Sequence, residues 1–161
     1  MLSFAAIAAR RLIGQAQLSV PVDPWEAART LGLRVEMLPL ESVDGFLRRP
    51  PGCDWYVIIS SLLPRQRQRF TLAHEIGHWM LHRNDQEYFA HRPGSRGRYE
   101  REANQFAAEL LMPFPALQKA AGQMAFGELA AHFEVSREAL AIRLEETGLY
   151  WLQEFRDAPS A

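Results

Sequence analysis

The sequence predicts an α+β fold: a small antiparallel three-stranded sheet packed with several helices. Three observations predict it. Short runs rich in β-branched and aromatic residues gather before residue 61. Helix-length segments with recognisable caps and stops lie on both sides of them. The strand runs are joined by short polar or Pro/Gly connections, which favour an antiparallel meander over a parallel sheet.

Each element can be justified in order. Residues 2–18 contain few breakers beyond Gly14 and read as a first helix. Asp23 is an N-cap, Pro24 takes the first helical position, and Gly32 stops a short second helix. Strands are expected at 34–38, 43–48 and 55–60, the last carrying Tyr56, Val57, Ile58 and Ile59. Residues 66–82 form a helix, 84–98 a polar loop with Pro93, Gly94 and Gly97, and 99–112 a second long helix ended by Pro113. Shorter helical pieces follow at 115–121, 126–133 and 137–147, the last lying between Ser136 as N-cap and Gly148. The chain of 161 residues suits one compact domain or a core with an appendage, divided here as 1–113 and 114–161.

Composition narrows the function. Hydrophobic residues at 48% and charged residues at 23% exclude a disordered chain, and a net charge of -1 excludes a general polyanion binder. All but one of the 18 basic residues are arginine, and the many between 48 and 101 read as a solvated face. Cys53 stands alone in a Pro-Pro-Gly-Cys-Asp turn with no histidine beside it, which excludes an internal disulfide and fits a reducing compartment. The apolar start precedes Arg10 and Arg11, the wrong order for a signal peptide, and is too short for a membrane span. A cytoplasmic protein is expected.

The chemistry lies in His74-Glu75-Ile76-Gly77-His78, an H-E-x-x-H pattern within the 66–82 helix. Histidines four apart project from one helix face, so both imidazoles can converge on one zinc ion. Glu75 flanks that face and can take a proton from a water that the metal activates, without ligating the metal itself. The surrounding helix is largely apolar, with Phe70, Leu72, Ala73, Ile76, Trp79, Met80 and Leu81. Such a helix is buried, and burying ionisable groups without partners costs several kcal/mol. A metal resolves that conflict.

A closed structural zinc site would draw on more cysteine than Cys53 supplies, so the pattern implies a catalytic site with three ligands and an open position. Candidates for the third ligand are His82, His91, Glu100, Glu102 and Glu109. His82 lies a further turn beyond His78, too far from a metal held between His74 and His78, and nothing fixes the direction of His91. On the 99–112 helix, Ala103, Phe106, Ala107 and Leu110 make the apolar face, and Glu102, Gln105 and Glu109 fall on the opposite, solvent side. Glu100 and Asn104, four apart, lie together at the edge of the apolar face. Glu100 is therefore the expected third ligand, and Asn104 the residue that hydrogen-bonds a ligand histidine.

RFTLAHEIGH, followed by EREANQFAAELLMP at 100–113, resembles the ImmA/IrrE family of HExxH metallopeptidases. The resemblance extends more loosely from the first helix to Val135-Ser136 and Arg143-Leu144. It implies a gluzincin-like zinc site on His74, His78 and Glu100, with Glu75 as general base. It also implies regulated cleavage, or other antagonism, of a helix-turn-helix repressor in a mobile-element or stress-response circuit. Some relatives carry the repressor-like domain on the same chain; with little sequence before residue 20, the repressor is expected in trans. A second oxyanion donor is usual in such sites, and Tyr88, His91 and Tyr99 are all available.

A competing reading is a regulator that binds DNA or protein without proteolysis. Leu129 to Leu140 resembles a helix-turn-helix, with the turn before Ser136. The reading helix after that turn offers Arg137 and Arg143, offset by Glu138, Glu145 and Glu146, which would repel a phosphate backbone. Packing or partner recognition is therefore expected of this segment, not direct DNA binding.

Overall fold

The computed structural model describes residues 3–84 and 97–153. Helix α1 spans Phe4–Gln15, its first turn closed by the Ser3 side chain accepting from the Ala6 N–H. Helix α2 spans Pro24–Thr30; Asp23 accepts from the Trp25 N–H, and the chain leaves through Gly32 at φ +71°. Strands β1 (Arg34–Leu38), β2 (Gly45–Arg48) and β3 (Tyr56–Ser60) precede the long helix α3, Arg65–His82. Then come α4 (Arg98–Leu111), α5 (Phe114–Ala121), α6 (Phe126–His132) and α7 (Arg137–Glu146). The class is α+β, as expected, and Pro113 stands at the break between α4 and α5.

The strands do not form the antiparallel meander expected of them. Their order is β1-β3-β2, with β1 parallel to β3 and β2 antiparallel to it. Short connections misled here because β2 crosses to the far side of β3. The whole segment from β1 to β3 then serves as a crossover, and it exceeds the dozen or so residues that a parallel pair requires. The centre falls to the strand richest in β-branched residues, whose Val57 and Ile59 are fully buried.

Helix α3 packs against α4 and against β2 and β3, and α1 and α2 also touch it. At Gly77 α3 and α4 approach closely: a Cβ there would stand 3.1 Å from the Phe106 Cβ and 3.2 Å from the Ala103 Cα. The core is continuous from Leu12 through Leu72, Ile76 and Phe106 to Leu129, Phe133 and Leu140. Burial of this apolar set is the main force holding the three short C-terminal helices to the rest.

Candidate metal centre

The close crossing at Gly77 sets α4 beside the H-E-x-x-H turn of α3, and three side chains meet there. His74 Nε2 and His78 Nε2 are 2.9 Å apart, and each lies 3.3 Å from a different carboxylate oxygen of Glu100. Among the described residues these three groups form a cluster able to hold a metal ion. A tetrahedral ion with bonds of about 2.0–2.1 Å needs ligand atoms roughly 3.3 Å apart. The two His–Glu separations, each to its own oxygen, are of that size, and the His–His separation is slightly shorter. Two imidazole nitrogens and one carboxylate are also a donor set suited to zinc.

His74 Nδ1 stands 2.8 Å from the Asn104 Oδ1. An amide oxygen can only accept, so the Nδ1–H donates to it, which leaves Nε2 as the ring atom directed at Glu100. His78 is 3% exposed; burial, then the neighbouring His74, drives its pKa down to about 3. That favours the neutral imidazole, the form that ligates. For His74, burial opposes the proton, but the hydrogen bond with Glu100 and the charges of Glu75 and Glu100 outweigh it and raise the pKa. Glu100 is held below the usual carboxylate range, first by its hydrogen bond with His74.

Glu75 stays out of the ligand cluster. It is 8% exposed, and burial pushes its pKa up to about 7 against the opposing charge of His74 and a hydrogen bond with the Leu47 backbone. Leu47 belongs to β2, so the edge strand of the sheet borders this carboxylate.

Helix α4 departs from expectation on the face assigned to solvent. Gln105 is exposed, but Glu109 is 1% exposed and accepts from Arg10 of α1 and Arg143 of α7. Glu102 accepts from His82 Nε2 at 2.9 Å and from Arg98 Nε at 2.7 Å. Glu102 and Glu109 looked solvent-facing on the helical wheel because His82, Arg10 and Arg143 come from other segments; Arg98 alone belongs to α4 itself. Arg69 escaped notice altogether: 2% exposed, it donates to the carbonyls of Val22 and Glu134 and pairs with the Glu134 carboxylate at 3.0 Å. An arginine inside an apolar helix was the available signal.

Tyr99 meets the His82 ring edge-on at 4.8 Å. Tyr88 and His91 lie outside the described residues. Cys53 is exposed. In the segment resembling a helix-turn-helix, Arg143 is buried against Glu109, and the Arg137 guanidinium sits 4.8 Å over the Phe126 ring.

Residues 28–145 match the Peptidase_M78 family, described as the IrrE N-terminal-like domain. The chain belongs to this family. The Peptidase_M78 match includes α3 and α4 whole, and with them His74, Glu75, His78 and Glu100. A relative from Bacillus phage phi105, "Uncharacterized immunity region protein 2", is 34% identical over 109 residues, 66% of this chain and 66% of its own length. The match therefore spans just under two thirds of that protein. A solved structure titled "Mycobacterium tuberculosis transcriptional regulator" superposes with a TM-score of 0.65 at 18% identity, covering 88% of this chain and 46% of that one. At that identity the likeness speaks for the fold of this Peptidase_M78 domain, and the chain spans under half of the regulator's length.

Proposed function

We propose that the protein is a zinc-dependent endopeptidase that cleaves a helix-turn-helix transcriptional repressor supplied in trans, in a stress-response or mobile-element circuit. The observation that carries this reading is the convergence of His74, His78 and Glu100, with a further buried carboxylate, Glu75, beside them but outside the ligand set. Residues 1–113 carry the peptidase core in this proposal, and 114–161 form a helical extension.

His74, His78 and Glu100 hold the metal, and Asn104 fixes the ring of His74 through its Nδ1–H. When bound, zinc supplies a Lewis acid that makes water nucleophilic near neutral pH and draws electron density from a peptide carbonyl. Glu75 takes the proton of the attacking water and delivers it to the leaving amine. Its burial suits that role, because removal from water favours the protonated form that must hold the proton between the two halves of the reaction. The neighbouring edge strand β2 offers backbone groups to an extended segment of substrate.

The repressor as substrate is supported by the resemblance to the ImmA/IrrE family and by the phage relative's place in an immunity region. A cytoplasmic setting belongs to the same proposal; no helix among the described residues is long and apolar enough to cross a membrane.

The test joins elemental analysis of the purified protein to incubation with a candidate repressor. About one zinc per chain, with cleavage slowed roughly 10²–10⁴-fold in Glu75→Gln while the zinc remains, is the expected result. Undiminished cleavage by that variant would remove Glu75 from the mechanism. A chain that takes up no zinc would overturn the proposal. Zinc-loaded protein that binds the repressor without cutting it would favour an antagonist that works by binding.

A further inference from the structure

From Nδ1 of His78, the ring nitrogen not directed at Glu100, runs a second chain of polar contacts. His78 Nδ1 lies 3.2 Å from His82 Nδ1, and His82 Nε2 lies 2.9 Å from the Glu102 Oε2. The other oxygen of Glu102 accepts from Arg98 Nε at 2.7 Å. His78 and His82 are 3% exposed each, so water cannot readily substitute for these partners.

The direction of each bond follows from its far end. A carboxylate held by Arg98 has only lone pairs to offer, so His82 Nε2 must be the donor. In a neutral ring the other nitrogen, Nδ1, is then an acceptor. Its partner is His78 Nδ1, which therefore carries the proton. The reverse order would turn a bare Nε2 toward the Glu102 carboxylate across 2.9 Å with no cation between them, whereas between His78 Nε2 and Glu100 the proposed metal would take both lone pairs. With its proton on Nδ1, His78 presents a lone pair on Nε2, the atom that faces His74 and Glu100.

We propose that His82 and Glu102 are positioning residues for the metal site, a relay that fixes the tautomer and ring orientation of His78 as Asn104 fixes those of His74. The proposal rests on His78 being a metal ligand. It also gives α4 three roles within five residues: Glu100 in the ligand cluster, Glu102 acting through His82, and Asn104 on His74.

Two readouts test it, neither of them peptidase activity. In the zinc-free protein, long-range proton–nitrogen correlation spectra of the histidines should show His78 protonated on Nδ1. Zinc affinity, measured by competition with a chromophoric chelator, should fall about 10–100-fold in His82→Phe and in Glu102→Ala, the range usual for residues that support a ligand. His82→Gln, whose amide oxygen can still accept from His78, should recover much of that loss. A merely structural histidine would leave the His78 tautomer unmoved in His82→Phe and would not be rescued by glutamine. The Glu102 side chain is 29% exposed, so Glu102→Ala guards against misreading a folding defect in the His82 variants.

The relay is overturned if His78 carries its proton on Nε2 in the native chain. It is equally overturned if folded His82→Phe and Glu102→Ala bind zinc as tightly as the native protein. A native chain that binds no zinc removes the ligand assignment itself, and that failure is told apart by the native protein alone.

Discussion

His78 shows how much one imidazole must satisfy at once. It is buried, kept neutral, and fitted on one nitrogen to His82 and on the other to His74 and Glu100. Replacing it removes a proposed ligand and opens a cavity on α3. His78→Ala is expected to lose stoichiometric zinc, read by elemental analysis, and the stabilisation that zinc gives the native chain, read as a melting temperature no longer raised by added metal. Full retention of zinc would refute the assignment. The motif made this residue easy to single out, because H-E-x-x-H ties spacing to chemistry through the helical repeat. Glu100 was legible for a related reason, its place with Asn104 at the edge of an apolar face. His82 was set aside as too far to ligate. Its spacing speaks to the metal alone and not to the space behind His78.

At the scale of elements, the proposed metal centre depends on how closely α3 and α4 approach. Gly77 permits the approach, and a methyl group there meets the Phe106 side chain and the Ala103 backbone at 3.1–3.2 Å. Alanine would gain roughly 1 kcal/mol of helix propensity, but overpacking a well-filled contact costs about 1–3 kcal/mol. Because one contact is backbone, relief has to come from the helices moving apart. Gly77→Ala is expected to be less stable in chemical denaturation and to bind zinc more weakly than the native chain. An unchanged midpoint with unchanged zinc affinity would show that the helices have slack. Helices α2 and α7 were readable from their caps: Asp23 with Pro24, and Ser136 with Gly148. Strand direction was not readable, since local connections do not say on which side of β3 the strand β2 will pair.

Across the whole molecule, Glu109 joins segments far apart in sequence. It receives Arg10 from α1, Arg143 from α7 and the Phe114 N–H at the start of α5. Glu109→Ala would leave Arg143 buried without its carboxylate, a change that costs about 3–5 kcal/mol in comparable buried pairs. A large fall in the urea midpoint, with the proposed metal ligands untouched, is the expected outcome; a shift within error would mean that the arginines find other partners. The same geometry bears on DNA. Arg143 is committed to the interior and Arg137 to Phe126, while Glu138, Glu145 and Glu146 are exposed. No salt-dependent retardation of duplex DNA is expected, and a clear one would revive a nucleic-acid role. None of this long-range pairing could be read from local pattern, because a charged residue in a helix looks the same whether its partner is water or an arginine many residues away.

Gly45, at the start of β2, carries a consequence for how this sequence can drift. A Cβ at that position would lie 2.6 Å from the Ile58 carbonyl oxygen and 2.8 Å from the Thr71 Cγ2. The first contact is backbone of the central strand, and the second is a buried side chain three residues before His74. No larger residue fits unless the strand or the motif helix gives way. Among descendants that keep a working site, substitutions should therefore accumulate along the exposed β1 while position 45 stays glycine. A lineage that lost that glycine would be one in which selection on the metal site had already been relaxed.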